Sequence, residues 1–383
     1  MISHADVEKL LGLQAAGRPV LSVYLQVPMD PAALRGLPAR LGELLALAED
    51  SEGGPGADGP GAAQVRDEDR QAVRRLLEIH AREWLGHTVA IFASSQLGLS
   101  ATFPLPCSLP ERAVLASRPH VRPLLVALQR CPAYCAAVVD RRHAWIFSVT
   151  GERISVVAQS EAEGVRSSGF GGWYGLESRR VHERIMQLTH HHYQDTAAIL
   201  GQAMRSGGQE LLVVGGHEEA IPQFLATLPA GLSDRFAGSF TVDPHTMTPA
   251  RVRELSGAVI RDWADRQEQR LTAQLQQEPP DGLTETGLLG CLAAVNQHAV
   301  QLLVVPVGGL IPGFACAQCG ELSSTPGECP DGPDATRWVP DLIEEMAVKT
   351  LSDGGDVEAV RDPPGDIAAR ARFPLTYPEG RPS

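Results

Sequence analysis

A chain of 383 residues is too long for one ordinary hydrophobic core, so two or three domains are expected. Its 43% hydrophobic and 21% charged residues exclude a disordered or fibrous protein, and no run of about 18 apolar residues offers a membrane span. The net charge of −13 excludes general coating of nucleic acid, because phosphates repel a global anion; any such contact must be made by a local basic patch.

The N-terminus, MISHADVEKLLGLQ, has acidic residues and no long apolar region, so it reads as a domain's first helix, capped by Ser3, and not as a signal peptide. A cytoplasmic protein without membrane contact is expected. VLSVYLQV, 20–27, reads as a buried strand. EDSEGGPGADGPGAA, 49–63, reads as a flexible insertion within a helical region, and a charged helix, DEDRQAVRRLLEIHAREWL, follows. HTVAIFAS and GLSATFPL add two strands and complete an N-terminal α/β domain, 1–118.

From Pro119 the pattern restarts. PLLVAL, CAAVV, HAWIFSV and ERISVVA read as a small antiparallel or mixed sheet, with Asp140-Arg141-Arg142 as a turn. Next comes a Gly-rich loop with aromatic tips, Gly169, Phe170, Gly171, Gly172, Trp173, Tyr174 and Gly175, leading into a long amphipathic helix. At about 100° per residue, Val181, Ile185, Leu188, His192 and Ile199 share one stripe of that helix. Arg179, Arg180, Arg184, Gln187, His190 and His191 lie opposite, with His182 near the loop. Two readings stand open: a solvated face with His192 as a hydrogen-bonded core residue, or an Arg/His face that meets RNA phosphates together with the glycine loop. Neighbouring histidines point apart on a helix, so His190, His191 and His192 cannot converge on one metal ion.

Ser206-Gly207-Gly208-Gln209 falls where a glycine helix stop is expected, so this Gly-Gly-Gln reads as a turn. The strand ELLVVGG, the helix HEEAIPQFLATLP and the short GSFTVD complete a middle domain, 119–248. A polar helix from about Pro249 to Gln277 opens a C-terminal α/β domain, 249–360. It continues through helix LTETGLLGCLAAVNQHA, strand VQLLVVPV, a cysteine-bearing insertion, helix DLIEEMAVKTL and strand DVEAV. Residues 361–383 read as a flexible tail. Cys316, Cys319 and Cys329 resemble three ligands of a zinc knuckle whose fourth ligand is missing; a structural zinc or a metal-free, degenerate knuckle both fit. The remaining cysteines are scattered, and no disulfide framework is expected. No nucleophilic triad, phosphate-binding loop or paired carboxylates emerge, and no cofactor is expected.

The order of these elements resembles the archaeal and eukaryotic class I peptide chain release factor family (release factor one and pelota-like proteins), and its bacterial relatives more closely. The resemblance rests on DRRHAWIFSV, the Gly-rich loop and basic helix, ELLVVGG, and LGCLAAVNQHAVQLLVVPV with FACAQCG and ECPDG. It implies three α/β domains and a monomer that binds the ribosome, contacting rRNA, stalk-base proteins and a translational GTPase. In the family the loop carries Gly-Gly-Gln and helps water attack the peptidyl-tRNA ester. Here the matching residues are Gly171, Gly172 and Trp173, and an indole offers one donor and no acceptor. A bacterial subgroup that lacks the glutamine occupies the ribosomal A site in hibernation without hydrolysis, and this chain is similar to it. The alternative is a rescue or release hydrolase using the backbone amide of Trp173 with Ser178 or His182.

Overall fold

VLSVYLQ folds as the strand its β-branched and aromatic residues favour, because both of its faces find a core. Helix α1, His4–Leu11, precedes strand β1, Val20–Gln26. Leu21, Val23 and Leu25 pack against Leu41 and Leu45 of α2, Leu37–Asp50, and Val73 and Leu77 of α3, Ala62–His80. Tyr24 faces the opposite side. Strands β2, Thr88–Ser94, β3, Leu99–Leu105, and β4, Arg112–Ala116, complete an antiparallel sheet in the order β3-β2-β1-β4. The structure, a computed structural model, describes residues 2, 4–13, 18–50, 62–105, 107–162, 175–277, 283–326 and 336–376. It divides into two compact units, Met1–Arg130 with Glu268–Ser383, and Cys131–Gln267.

PLLVAL is not a strand. It lies in helix α4, Arg122–Arg130, with Pro123, Leu124, Leu125, Val126 and Ala127 all buried. A short run buried all round has neither a helical nor a strand period, so only its packing decides the conformation.

The second unit is a five-stranded sheet between two helical layers. Strands β5, Tyr134–Val139, β6, His143–Thr150, and β7, Arg153–Glu161, form an antiparallel meander. Helix α5, Gly175–Gly207, then crosses over to β8, Leu211–Gly216, which lies parallel to β5. Helices α6, Ala220–Leu225, and α7, Ala230–Ser233, lead to β9, Phe236–Thr241, parallel to β8. The strand order is β7-β6-β5-β8-β9. Cys135, Ala137 and Val139 meet Tyr193, Leu200 and Phe224 on one face. Tyr134, Ala136 and Val138 meet Val252 and Ile260 of α8, Pro249–Gln277, on the other.

The first unit resumes within α8, which supplies Leu275 to a small core with Val304 and Val360. The predicted helix LTETGLLGCLAAVNQHA starts late: Thr284–Thr286 form strand β10, and helix α9 runs Leu288–Asn296, with Gly287 between them. Strand β11, Val300–Pro306, is followed by a three-stranded sheet of β12, Gly313–Cys316, β13, Leu322–Ser323, and β14, Thr336–Val339. Then come helix α10, Leu342–Ser352, and strand β15, Asp356–Val360. The expected loose tail contains a further strand, β16, Ala368–Ala371, inserted between β10 and β11 in the order β10-β16-β11-β15. Its Ala-Ala-Arg-Ala has weak strand propensity; ladder bonds on both sides and burial of Ala368 and Ala369 override it.

Within this unit the N-terminal and C-terminal parts share one core, in which Tyr24 and Phe92 join Val126, Leu303 and Met346. The side-chain amide of Gln129 donates to Val357 O at 2.7 Å and accepts from Ala359 N at 2.9 Å, so it satisfies the free edge of β15. The fold is mixed α/β throughout, as expected.

Candidate functional site

Helix α5 is held by its middle and C-terminal turns. Thr189, His192, Tyr193, Thr196, Ala197, Leu200 and Met204 are buried, at the spacings that put one face of a helix on a sheet. The apolar stripe is therefore turned slightly from the expected one: Ile185, Leu188 and Ile199 are half-buried flanks, and Tyr193, Ala197 and Leu200 form its centre. His192 is a core residue, with Nδ1 3.4 Å from Ser160 Oγ; burial lowers its pKa and keeps the ring neutral. On the opposite face Arg184, Gln187, His190 and His191 are all exposed. The loop residues Gly169, Phe170, Gly171, Gly172, Trp173 and Tyr174 lie outside the described residues. Gly175 starts the helix, and Ser178, Arg179, Arg180 and His182 are described by backbone only.

The second glycine pair is a turn. α5 ends at Gly207, and Gly208 adopts φ +66°, a left-handed conformation open to glycine. Gln209 then tucks under the sheet, 5% exposed. Its amide nitrogen donates to Ser148 Oγ at 2.8 Å, and its amide oxygen accepts the Cys135 thiol proton at 3.7 Å. Burial pushes that thiol up to about 11, so it stays protonated and can donate. The Gly-Gly-Gln of residues 207–209 is thus part of the scaffold, and its glutamine is closed to any external partner.

A cluster that the sequence reading missed lies at the carboxyl ends of β5, β8 and β9. β5 ends in the tight hairpin Asp140-Arg141-Arg142-His143, closed by Asp140 N donating to His143 O at 2.9 Å. Asp140 Oδ1 accepts from the amides of Arg142 and His143, both at 2.6 Å. Asp140 Oδ2 lies 3.6 Å from His143 Nδ1 and 3.3 Å from His245 Nε2. His217 follows β8 directly, and Asp243 and His245 lie just beyond β9. A cleft of about 600 Å³ opens there, lined by Asp140, Arg141, Arg142, His217, Glu219 and His245. Gly216 allows it: a side chain there would meet Val139 O at 2.3 Å, so only glycine lets β8 close on β5 at this end. The signal in the sequence was an Asp or His just past the end of each parallel strand, spread over more than 100 residues.

In the first unit, Cys316 and Cys319 sit on the turn from β12 towards β13. Cys316 Sγ accepts from the amides of Gln318 and Cys319 at 3.4 and 3.5 Å, the arrangement that suits a thiolate-holding turn. Cys329 lies outside the described residues. A second charged cluster in this unit, His120, Arg122, Asp341 and Glu344, is fully buried. Arg122 donates to Asp341 Oδ2 at 2.7 Å, and Glu344 accepts the amides of Val121 and Arg122 at the start of α4. No described helix is long and apolar enough to cross a membrane.

Residues 119–269 match the family model described as bacterial archaeo-eukaryotic release factor family 10. No curated protein matches the chain. Among solved structures, an archaeal translation termination factor, aRF1, aligns at 16% identity over 97% of this chain and 99% of its own, with a TM-score of 0.25. An archaeal Pelota, from a ribosome-bound model with ABCE1, aligns at 17% identity over 76% of this chain and 79% of its own, with a TM-score of 0.40. Dom34 of S. cerevisiae, described as a translation termination-like factor, aligns at 9% identity over 75% and 80%, with a TM-score of 0.42. The family-model match spans the middle sheet, α5 and most of α8. Over residues 119–269 this chain is therefore similar to the bacterial archaeo-eukaryotic release factors of family 10.

Proposed function

We propose that the chain is a ribosome-binding translation factor that occupies the A site and directs its Gly-Gly-Trp loop towards the peptidyl-transferase centre without hydrolysing peptidyl-tRNA. The observation that carries this reading is the burial of Gln209. The chain's Gly-Gly-Gln is locked beneath the middle sheet, and the sequence ahead of α5 carries Gly171, Gly172 and Trp173 instead. An indole can stack on a base and donate one hydrogen bond, but it cannot accept one from an attacking water. The exposed Arg184, His190 and His191 support a nucleic-acid contact alongside that loop, and the family match over residues 119–269 supports the ribosome as its location. Hibernation or protection of idle ribosomes is the role that binding without cleavage serves, with a translational GTPase as a delivery partner and stalk-base proteins as further contacts.

The test combines two measurements on the purified full chain. It is expected to cosediment with ribosomes, to lose that association on Trp173→Ala, and to release no peptide from loaded ribosomes. Peptide release that depends on Gly172 and Trp173 would instead make it a hydrolase, and failure to cosediment with ribosomes from growing or starved cells would remove the ribosomal reading altogether.

A further inference from the structure

We propose that Asp140, His143 and His245 form a binding site for a divalent transition metal of the zinc class, with an open coordination position facing the cleft at the end of the middle sheet. This inference does not depend on ribosome binding.

The distances are those of ligands around one small ion. Donor atoms about 2.0–2.2 Å from a tetrahedral zinc are separated from each other by about 3.3–3.6 Å. Asp140 Oδ2 lies 3.6 Å from His143 Nδ1 and 3.3 Å from His245 Nε2, and one donor atom from each of the three residues lies within 4.8 Å of the others. The longer separation is too great for a hydrogen bond. His143 Nδ1 is in fact a buried ring nitrogen without any hydrogen-bond partner, a costly arrangement that a metal would relieve.

Each ligand also has the surroundings that metal ligands need. Asp140 is 7% exposed; its Oδ1 is occupied by two backbone amides, which fixes the carboxylate and directs Oδ2 at the histidines. The other ring nitrogen of His143, Nε2, lies 3.5 Å from Glu161 Oε1, so a carboxylate stands behind the imidazole, on the side away from the proposed ion. The ring of His143 stacks on Trp145 at 5.6 Å between centroids, which holds its plane. His245 is carried by a turn in which its amide donates to Asp243 Oδ1 at 3.0 Å.

The position in the fold agrees. β6 and β7 lie on one side of β5, and β8 and β9 on the other, so the chain reverses its direction across the sheet between β5 and β8. Open α/β sheets bind ligands beyond the carboxyl ends of their parallel strands at such a reversal. Two histidines and one carboxylate leave a fourth tetrahedral position for water or a ligand from the cleft, the donor count of zinc sites that act on something. The buried cluster of His120, Asp341 and Glu344 differs in kind: Arg122 already supplies its cation, and both Glu344 oxygens accept backbone amides.

The experiment is a titration of the chelator-treated full chain with Co²⁺, read by absorption, followed by displacement with Zn²⁺ in a calorimeter. One equivalent is expected to produce visible d–d bands without a thiolate charge-transfer band, and these are expected to persist in the Cys316→Ser, Cys319→Ser double variant. His245→Ala removes an exposed side chain, and it is expected to weaken binding at least tenfold. Asp140→Asn keeps an oxygen for the turn amides and is expected to weaken it as much; Glu161→Gln is expected to cost about tenfold. Circular dichroism verifies that each variant is folded. A single thiolate-type band that vanishes with the cysteines, or Co²⁺ bound as tightly by His245→Ala and Asp140→Asn as by the parent, overturns the site.

Discussion

Arg122 is among the largest fully buried side chains of the chain, and a guanidinium cannot shed its charge there. It is held by Asp341 at 2.7 Å and by the carbonyl of Pro306 at 3.0 Å, while His120 Nε2 lies 3.0 Å from the same carboxylate oxygen. Removing one partner of such a pair strands the other, so Arg122→Met is expected to lower stability by about 3–5 kcal/mol in urea unfolding; a change under 1 kcal/mol would contradict this. The pH dependence has a definite sign. Burial raises the pKa of Asp341, but the His120 hydrogen bond and the Arg122 charge outweigh it and leave the pKa lowered. A carboxyl depressed in the fold contributes stability that is present above its unfolded value, about 3.9, and is lost as pH falls through the folded one. Glu344 has the opposite sense: burial raises it, and its contribution fades as pH rises through the raised value. Acid unfolding of Asp341→Asn is therefore expected to have a shallower slope below about pH 4 than that of the parent.

Among the elements, β16 shows how far pattern alone can mislead. A tail rich in proline and arginine with no period reads as loose, yet Ala368–Ala371 lies between two strands of the C-terminal sheet and Ile367 is 1% exposed. A chain ending at Arg361 is expected to lose at least about 3 kcal/mol, from the burial of Ile367 and several ladder hydrogen bonds, and an unchanged urea midpoint would show that β16 is dispensable. The long elements were legible because their period is strong: α5 and α8 and the strands β1, β2, β5, β8 and β11 all lie where the sequence places them. PLLVAL and the start of α9 were not, because buried runs and short strands owe their conformation to neighbours that are distant in sequence. The metal cluster was hidden for a related reason. Its three residues come from a hairpin and from a loop about one hundred positions away, and only the parallel pairing of β5, β8 and β9 brings them together.

At the scale of the whole molecule, a net charge of −13 means that the proposed RNA contact has to be made by a small part of the surface against the general repulsion. The salt response then measures that part. Each phosphate contact contributes about 0.7–0.9 to the slope of log affinity against log salt. Arg184→Ala is expected to reduce the slope for ribosome association by about one contact while leaving urea stability unchanged, since the side chain is exposed. A slope identical to the parent's would assign the basic face of α5 to solvent alone.

The sequence by itself determined the α/β class, the long crossover helix with its buried and basic faces, and the Gly171-Gly172-Trp173 triplet ahead of it, because periodicity and residue identity are local properties. The tertiary structure decided the rest: that Gln209 is buried beneath the middle sheet, that 361–376 contribute a strand, and that Asp140, His143 and His245 converge. Those outcomes depend on contacts between residues far apart in the chain, and no local pattern records such contacts.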